Sequence, residues 1–359
     1  MVKVTHRIRY PPFESQKLNP EHIPIVEHSF EIEDSAIPAF RLGSENSWIV
    51  ERVVDGEHDV DIKYHGEEPQ IVQKQRRGWF LVPHPFHGKA RYIINITVAI
   101  LLTCLFYLFT TPVQSALGIP VYGTGKIRLG LLDYPLLAVV VVPLMLTPIA
   151  MRVTANLGDL RRQKSFFADT PKSPQIDLES VKSGGPLKGN ITLKDVPEDW
   201  QDLSVFWRVG ILPPARHKVF SALGRDLDGQ PPPGLSTALP HHWEKGLDDG
   251  TGMGEDAPMQ RHDVPGGVYL RPMRIMASGG REELGLEGGK FQLSPPEGEW
   301  PGTIYGDLVR VHWELVIKIG RKDDSPILWV EPLTVDHHEN PIENSELIIS
   351  DGRSESDTI

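Results

Sequence analysis

Cysteine is almost absent: Cys104 is the only one in 359 residues. That excludes an internal disulfide framework, a zinc site built from several cysteines of one chain, and a cysteine-held iron–sulfur cluster. Basic charge is also in short supply, with 37 Lys and Arg against 48 Asp and Glu and a net charge of -11. Nucleic acid is therefore not an expected partner, because phosphate contacts need a basic surface. The same sign disfavours acidic substrates. Catalytic signatures are missing as well: there is no His-Glu-x-x-His, no Gly-x-Ser-x-Gly, no dinucleotide fingerprint and no complete phosphate loop. Gly123-Thr-Gly-Lys126 lacks both the first glycine and the Ser or Thr that should follow the lysine.

What the chain does have is two uncharged blocks. No charged residue occurs from Tyr92 to Gly125, and the first eighteen residues, ending at Phe109, are almost wholly apolar. At 1.5 Å per residue such a helix crosses a hydrocarbon core of about 30 Å. A second uncharged block runs from Tyr134 to Met151 and carries Pro135, Pro143 and Pro148, which predicts a kinked helix. These blocks predict transmembrane helices over 92–112 and 132–151, joined by a short outer loop over 113–131. Lys74, Arg76, Arg77, Lys89 and Arg91 precede the first block, and Arg152, Arg161, Arg162 and Lys164 follow the second. The positive-inside rule then places both termini in the cytoplasm of a two-span protein of the cell membrane. Trp79 and Tyr92 lie beside the first basic cluster, as aromatic residues do at headgroup level. Segment 74–91 and these basic residues are accordingly expected to face the lipid, with 152–175 as a basic interfacial helix and linker.

Outside the blocks the pattern is that of strands. Val2, Val4, His6, Ile8 and Tyr10 alternate with Lys3, Thr5, Arg7 and Arg9, and Asp55-Gly56 suggests a hairpin between Trp48–Val54 and Val60–Tyr64. Residues 1–73 therefore read as a small β-rich extension, too poor in core residues to stand alone. From 176 to 338 alternating runs recur. Leu203, Val205, Trp207, Val209 and Ile211 form one, and Val309, Val311, Trp313, Leu315, Ile317 and Ile319 another. Half-buried strands with turn-rich spacers predict an antiparallel β-sandwich. Six of the eight tryptophans fall between Trp200 and Trp329, where core packing accounts for them. A Pro-, Gly- and His-rich stretch over 212–267 reads as a long irregular insertion, and 339–359 as an acidic flexible tail. The fold class expected is mainly β with a transmembrane α-hairpin.

A family resemblance enters with Ser183-Gly-Gly-Pro-Leu-Lys-Gly-Asn-Ile-Thr-Leu193 followed by Leu203-Ser-Val-Phe-Trp-Arg-Val209. These residues resemble the opening strands of an arrestin-like sandwich, related in kind to immunoglobulin-like folds. Phe291-Gln-Leu-Ser-Pro-Pro296, Trp300–Gly306 and Asp307–Ile317 are similar to that family's later hairpin. The resemblance spans about residues 180–335 and leaves room for a single lobe. It implies a non-enzymatic adaptor that offers loops and an edge strand to a protein partner.

The fourteen histidines supply the only candidate chemistry. His84 and His87 are three apart, but Pro83 and Pro85 disfavour a regular helix through them, His241-His242 and His337-His338 are adjacent pairs that diverge on a strand, and Cys104 lies within the first apolar block, where a thiol is a poor nucleophile. The function expected is a membrane-anchored, non-enzymatic interaction module with no cofactor. Its partners would be the lipid bilayer and a membrane-associated protein. The alternatives are an accessory subunit of a larger membrane transporter or respiratory complex, and a metal-dependent hydrolase using His217, His241, His242 and His262 of the insertion.

Overall fold

The structure is a computed structural model, and it describes residues 2–10, 19–32, 37–55, 72, 76–82, 86–123, 125–212, 214, 216–226, 273–322, 324–338, 340–345 and 347. The chain forms two compact units, one of residues 1–82 with 170–359 and one of residues 83–169. Each is described by itself.

The first unit is built mainly of antiparallel sheets, with parallel pairing of residues 342–344 with 40–42 and of 335–336 with 181–182. Its first strands are β1 (Val2–Arg9), β2 (Val26–Ile32), β3 (Phe40–Gly43) and β4 (Ile49–Asp55), ordered β3-β4-β1-β2. The alternation in β1 does its expected work, since Val2, Val4 and Ile8 are buried. Polar His6 shares that buried face. The second limb of the expected hairpin, Val60–Tyr64, lies outside the described residues. After it, β5 (Gly78–Leu81) forms within the segment expected to face lipid.

The second unit opens with α1 (Phe86–Ala116), passes through the hairpin strands β6 (Lys126–Leu129) and β7 (Leu132–Pro135), and closes with α2 (Leu136–Ala168). Within α1, Tyr92–Ala116 is long and apolar enough to cross a membrane, with a mean hydropathy of 2.2 in its best window and only 6% of that window buried. A core helix of a water-soluble domain would bury such a surface. In α2 the apolar stretch among the described residues is shorter, Val141–Met151. The structure therefore supports one spanning helix, where the sequence predicts two. The basic segment that follows is no separate helix but the continuation of α2. Pro112 removes the donor that would bond the Leu108 carbonyl, and the Thr111 hydroxyl donates to that carbonyl at 2.8 Å.

The chain then returns to the first unit with β8 (Gln175–Leu178), β9 (Val181–Lys182), β10 (Leu187–Thr192) and β11 (Trp200–Ile211). A short helix α3 (Arg216–Leu223), with Val219 and Phe220 buried, lies near the start of the stretch expected to be irregular; residues 227–267 of that stretch are not described. There follow β12 (Arg274–Leu284), β13 (Gly288–Leu293), β14 (Ile304–Tyr305), β15 (Arg310–Arg321), β16 (Ile327–Leu333), β17 (Val335–Asp336) and β18 (Ile342–Asn344). One sheet runs β12-β11-β15-β16-β5, with β14 paired to β15, and a second runs β13-β10-β8. The pairing of β13 against β10 turns on Gly288 at φ +95°, where a Cβ would stand 2.1 Å from the Ile191 carbonyl oxygen.

The central strands depart from expectation in one respect. β11 and β15 are buried on both faces, where simple alternation predicts one dry and one wet face. One face carries Trp207, packed on Trp313 at 5.0 Å, and a tryptophan group in which Trp79 lies 5.3 Å from Trp329 and 6.0 Å from Trp200. The other carries Phe80, Phe206, Val316, Leu328 and Val330 in a single apolar cluster. The expected flexible tail also contributes structure, because β18 pairs in parallel with β3 and Ile342 is buried.

Candidate functional site

The second face of β15 also holds the most concentrated chemistry in the described residues. His312 and Glu314 lie two positions apart, so they share a face. Arg208 on β11 stands directly across from Glu314 in register. Arg76, two residues before β5, enters the same place. One Glu314 oxygen, Oε1, accepts from Arg76 Nη2 at 2.6 Å and from Arg208 Nε at 2.7 Å. The other, Oε2, accepts from Arg76 Nε at 3.1 Å and lies 3.1 Å from His312 Nε2. Tyr305 closes the chain with its hydroxyl 2.7 Å from His312 Nδ1.

Burial alone would raise the Glu314 pKa, but the guanidinium groups of Arg76 and Arg208, with His312, hold it well below the usual carboxylate range. Burial pushes His312 down, against the pull of Glu314. A neutral imidazole protonated on Nε2 then donates to Glu314 and accepts from Tyr305. Arg208, His312 and Glu314 have no exposed surface, and Arg76 only 2%. The arrangement cannot reach a substrate; it fixes the segment ahead of β5 to the centre of the sheet.

A second buried group joins the N-terminal strands to the rest of their unit. His6 Nε2 lies 2.9 Å from Arg52 Nη1, and the Tyr10 hydroxyl donates to the Leu308 carbonyl at 2.8 Å. Burial, reinforced by Arg52, pushes His6 down to about 3 and His337 to about 4. Burial also lowers Arg52, to about 10. Both imidazoles are neutral near pH 7.

Among the described residues of this unit, one exposed feature is an edge. In the β13-β10-β8 sheet, β8 is the last strand, and the Glu179 amide donates to the Lys188 carbonyl at 3.1 Å. Antiparallel pairing alternates, so the backbone groups of Ile176 and Leu178 point to the free side. Asp177, Glu179, Lys188, Lys290 and Glu282 line a groove over one face of that sheet. Leu178 remains 37% exposed.

The residues expected at the membrane interface scatter. Trp79 is fully buried in the tryptophan group and Arg76 is bound to Glu314, which corrects their expected place among headgroups: pairing of β5 with β16 draws both into the sheet. Arg77 is partly exposed and pairs with Glu331 at 3.2 Å. Lys89 and Arg91 lie on the first turns of α1 and Arg152 on α2. Tyr92, Arg161 and Lys164 are exposed and Arg162 is half-buried. Lys74 lies outside the described residues. Of the histidines proposed as metal ligands, His217 is exposed on α3, and His241, His242 and His262 lie outside the described residues. Among the described residues no group of three His, Cys, Asp or Glu comes together as a metal site. Sequence reading missed Arg208, His312 and Glu314 as a group, although ionisable residues inside strongly apolar runs were a usable signal.

No protein-family model matches the chain, and none of the curated proteins matches it.

Proposed function

We propose that the chain is a membrane-anchored, non-enzymatic protein-interaction module, a single arrestin-like sandwich tethered through a two-span hairpin with both termini in the cytoplasm. The observation that carries this reading is that an apolar helix left exposed along its length occurs in one chain with a β unit whose buried ionisable cluster, Arg76, Arg208, His312 and Glu314, is bound within itself. The β8 edge supplies the means of binding. An extended segment of a partner adds to Ile176 and Leu178 by backbone hydrogen bonds, and the mixed charges of Asp177, Glu179, Lys188 and Lys290 select its side chains. Tethering raises the effective concentration of this edge for other membrane proteins.

The test uses the full chain in its native membrane with Ile176→Pro. Proline at an outward-facing edge position removes a donor without breaking the ladder. Partners crosslinked to the wild type should be lost from this variant while its thermal unfolding is unchanged. Retention of the same partners, together with their loss when the helices are exchanged for an unrelated hairpin, would favour the accessory-subunit alternative.

A further inference from the structure

We infer that residues 117–123 and 125–135 belong to a lipid-facing element that lies in the headgroup layer of the bilayer, not a loop standing in water; this rests on the membrane reading of α1. The first ground is a fold-back. The Tyr107 hydroxyl accepts from the Tyr122 amide at 2.8 Å and donates to the Tyr122 carbonyl at 3.2 Å. Tyr107 lies nine residues before the end of α1 at Ala116, about 13 Å along the axis. The chain therefore leaves the helix and comes back alongside its last turns.

The second ground is how the backbone is satisfied. Non-helical chain is tolerated near the hydrocarbon only where its polar groups find partners. Leu117 donates to the Val113 carbonyl at 3.0 Å, Gly118 to Ser115 at 3.1 Å, Ile119 to Gln114 at 2.9 Å and Leu136 to Gly125 at 2.7 Å. Together with the doubly used Tyr122, these bonds satisfy the backbone where the chain turns back at the end of α1.

The third ground is a two-faced hairpin. Ile127 pairs with Tyr134 and Arg128 with Asp133, so one face carries Ile127, Leu132 and Tyr134 and the opposite face Lys126, Arg128 and Asp133. An isolated two-stranded hairpin is marginal in water and needs a surface for its apolar side. That surface is the lipid: Leu131 at the turn is 93% exposed, Tyr122 75% and Leu117 70%, continuous with the exposed apolar belt of α1. Lys126 and Arg128, on the other face, reach the phosphates, and Tyr122 and Tyr134 have the amphipathic rings that headgroup layers favour.

The single native cysteine makes the test direct. In the full-length Cys104→Ala chain, reconstituted in phosphatidylcholine–phosphatidylglycerol vesicles, Leu131→Cys, Phe109→Cys and Gln175→Cys are labelled one at a time with an environment-sensitive fluorophore. Nitroxide-labelled lipids and aqueous iodide serve as quenchers. The expected result is strong quenching at 131 by a shallow nitroxide, weaker quenching by a deep one, and at least a threefold fall in iodide quenching relative to 175. Position 109, 75% exposed on α1, should respond most to the deep nitroxide. If 109 responds to lipid and 131 responds only to iodide, the loop stands in water and the inference fails while the membrane reading stands. If 131 is shielded from both quenchers, a protein or a second copy covers it and the inference also fails. If 109 itself does not respond to lipid, the membrane reading fails and the inference falls with it.

Discussion

Arg76 and Glu314 stand 238 positions apart in the chain and meet through two hydrogen bonds, at 2.6 and 3.1 Å, with neither side chain more than 2% exposed. The pair joins the segment leading to the apolar helix to the central strand of the β unit. Removing one partner of a buried pair leaves a charge without compensation, at a cost of about 3–5 kcal/mol.

Glu314→Gln should therefore destabilise the β unit by about 3 kcal/mol or more, because it deprives Arg76 and Arg208 together of their shared counter-charge. Urea unfolding followed by tryptophan fluorescence measures this. Glu343→Gln, on an exposed side chain, should change stability by less than about 0.5 kcal/mol.

Acid should weaken the fold before ordinary carboxylates titrate. His6 and His337 have folded values of about 3 and about 4 against 6.5 for a free imidazole. Between those limits the unfolded chain binds protons that the folded chain refuses, so this stability is complete above about pH 6.5 and drains away as the pH falls towards 4 and 3. Each histidine contributes a slope of about 1.4 kcal/mol per pH unit within its window. Unfolding free energies measured from pH 7 to 4.5 should show that slope reduced by one proton in His6→Gln.

Trp79→Ala should cost about 3–5 kcal/mol, the usual penalty for emptying a large buried site, because Trp79 fills space between Trp200 and Trp329. Amide exchange in β16 should accelerate in the same variant, since β5 is its outer neighbour. A tryptophan at a lipid surface would show neither effect.

Gly288→Ala should lower the melting temperature clearly more than Gly184→Ala. Both glycines have positive φ, which costs an L-residue about 1–2 kcal/mol. Only at Gly288 would the added carbon also strike backbone, and no atom lies within 4 Å of a Cβ at Gly184. Paired thermal scans of the full chain compare the two.

Much of the architecture was legible in local pattern. Period-two alternation in Val2–Arg9, Trp200–Ile211 and Arg310–Arg321 marks strands, and the uncharged run from Tyr92 marks a helix fit for a membrane. Both follow from geometry that each short segment carries within itself: side chains alternate along a strand, and a helix rises 1.5 Å per residue. The single cysteine and the acidic balance likewise needed no structure to exclude disulfides and to disfavour nucleic acid.

Partnership needed the tertiary structure. Arg76 and Trp79 look like membrane flank because basic and aromatic residues before an apolar run satisfy that description equally well; only the pairing of β5 with β16 shows that they belong to the sheet. Arg208, His312 and Glu314 occupy positions that alternation assigns to solvent, and they are dry because further chain covers the second face of β11 and β15. Ile342–Asn344 reads as tail until β3 offers an edge to it. Local sequence determines which way a side chain points along its own element. What it meets there depends on contacts between residues hundreds of positions apart, and no short window of sequence contains them.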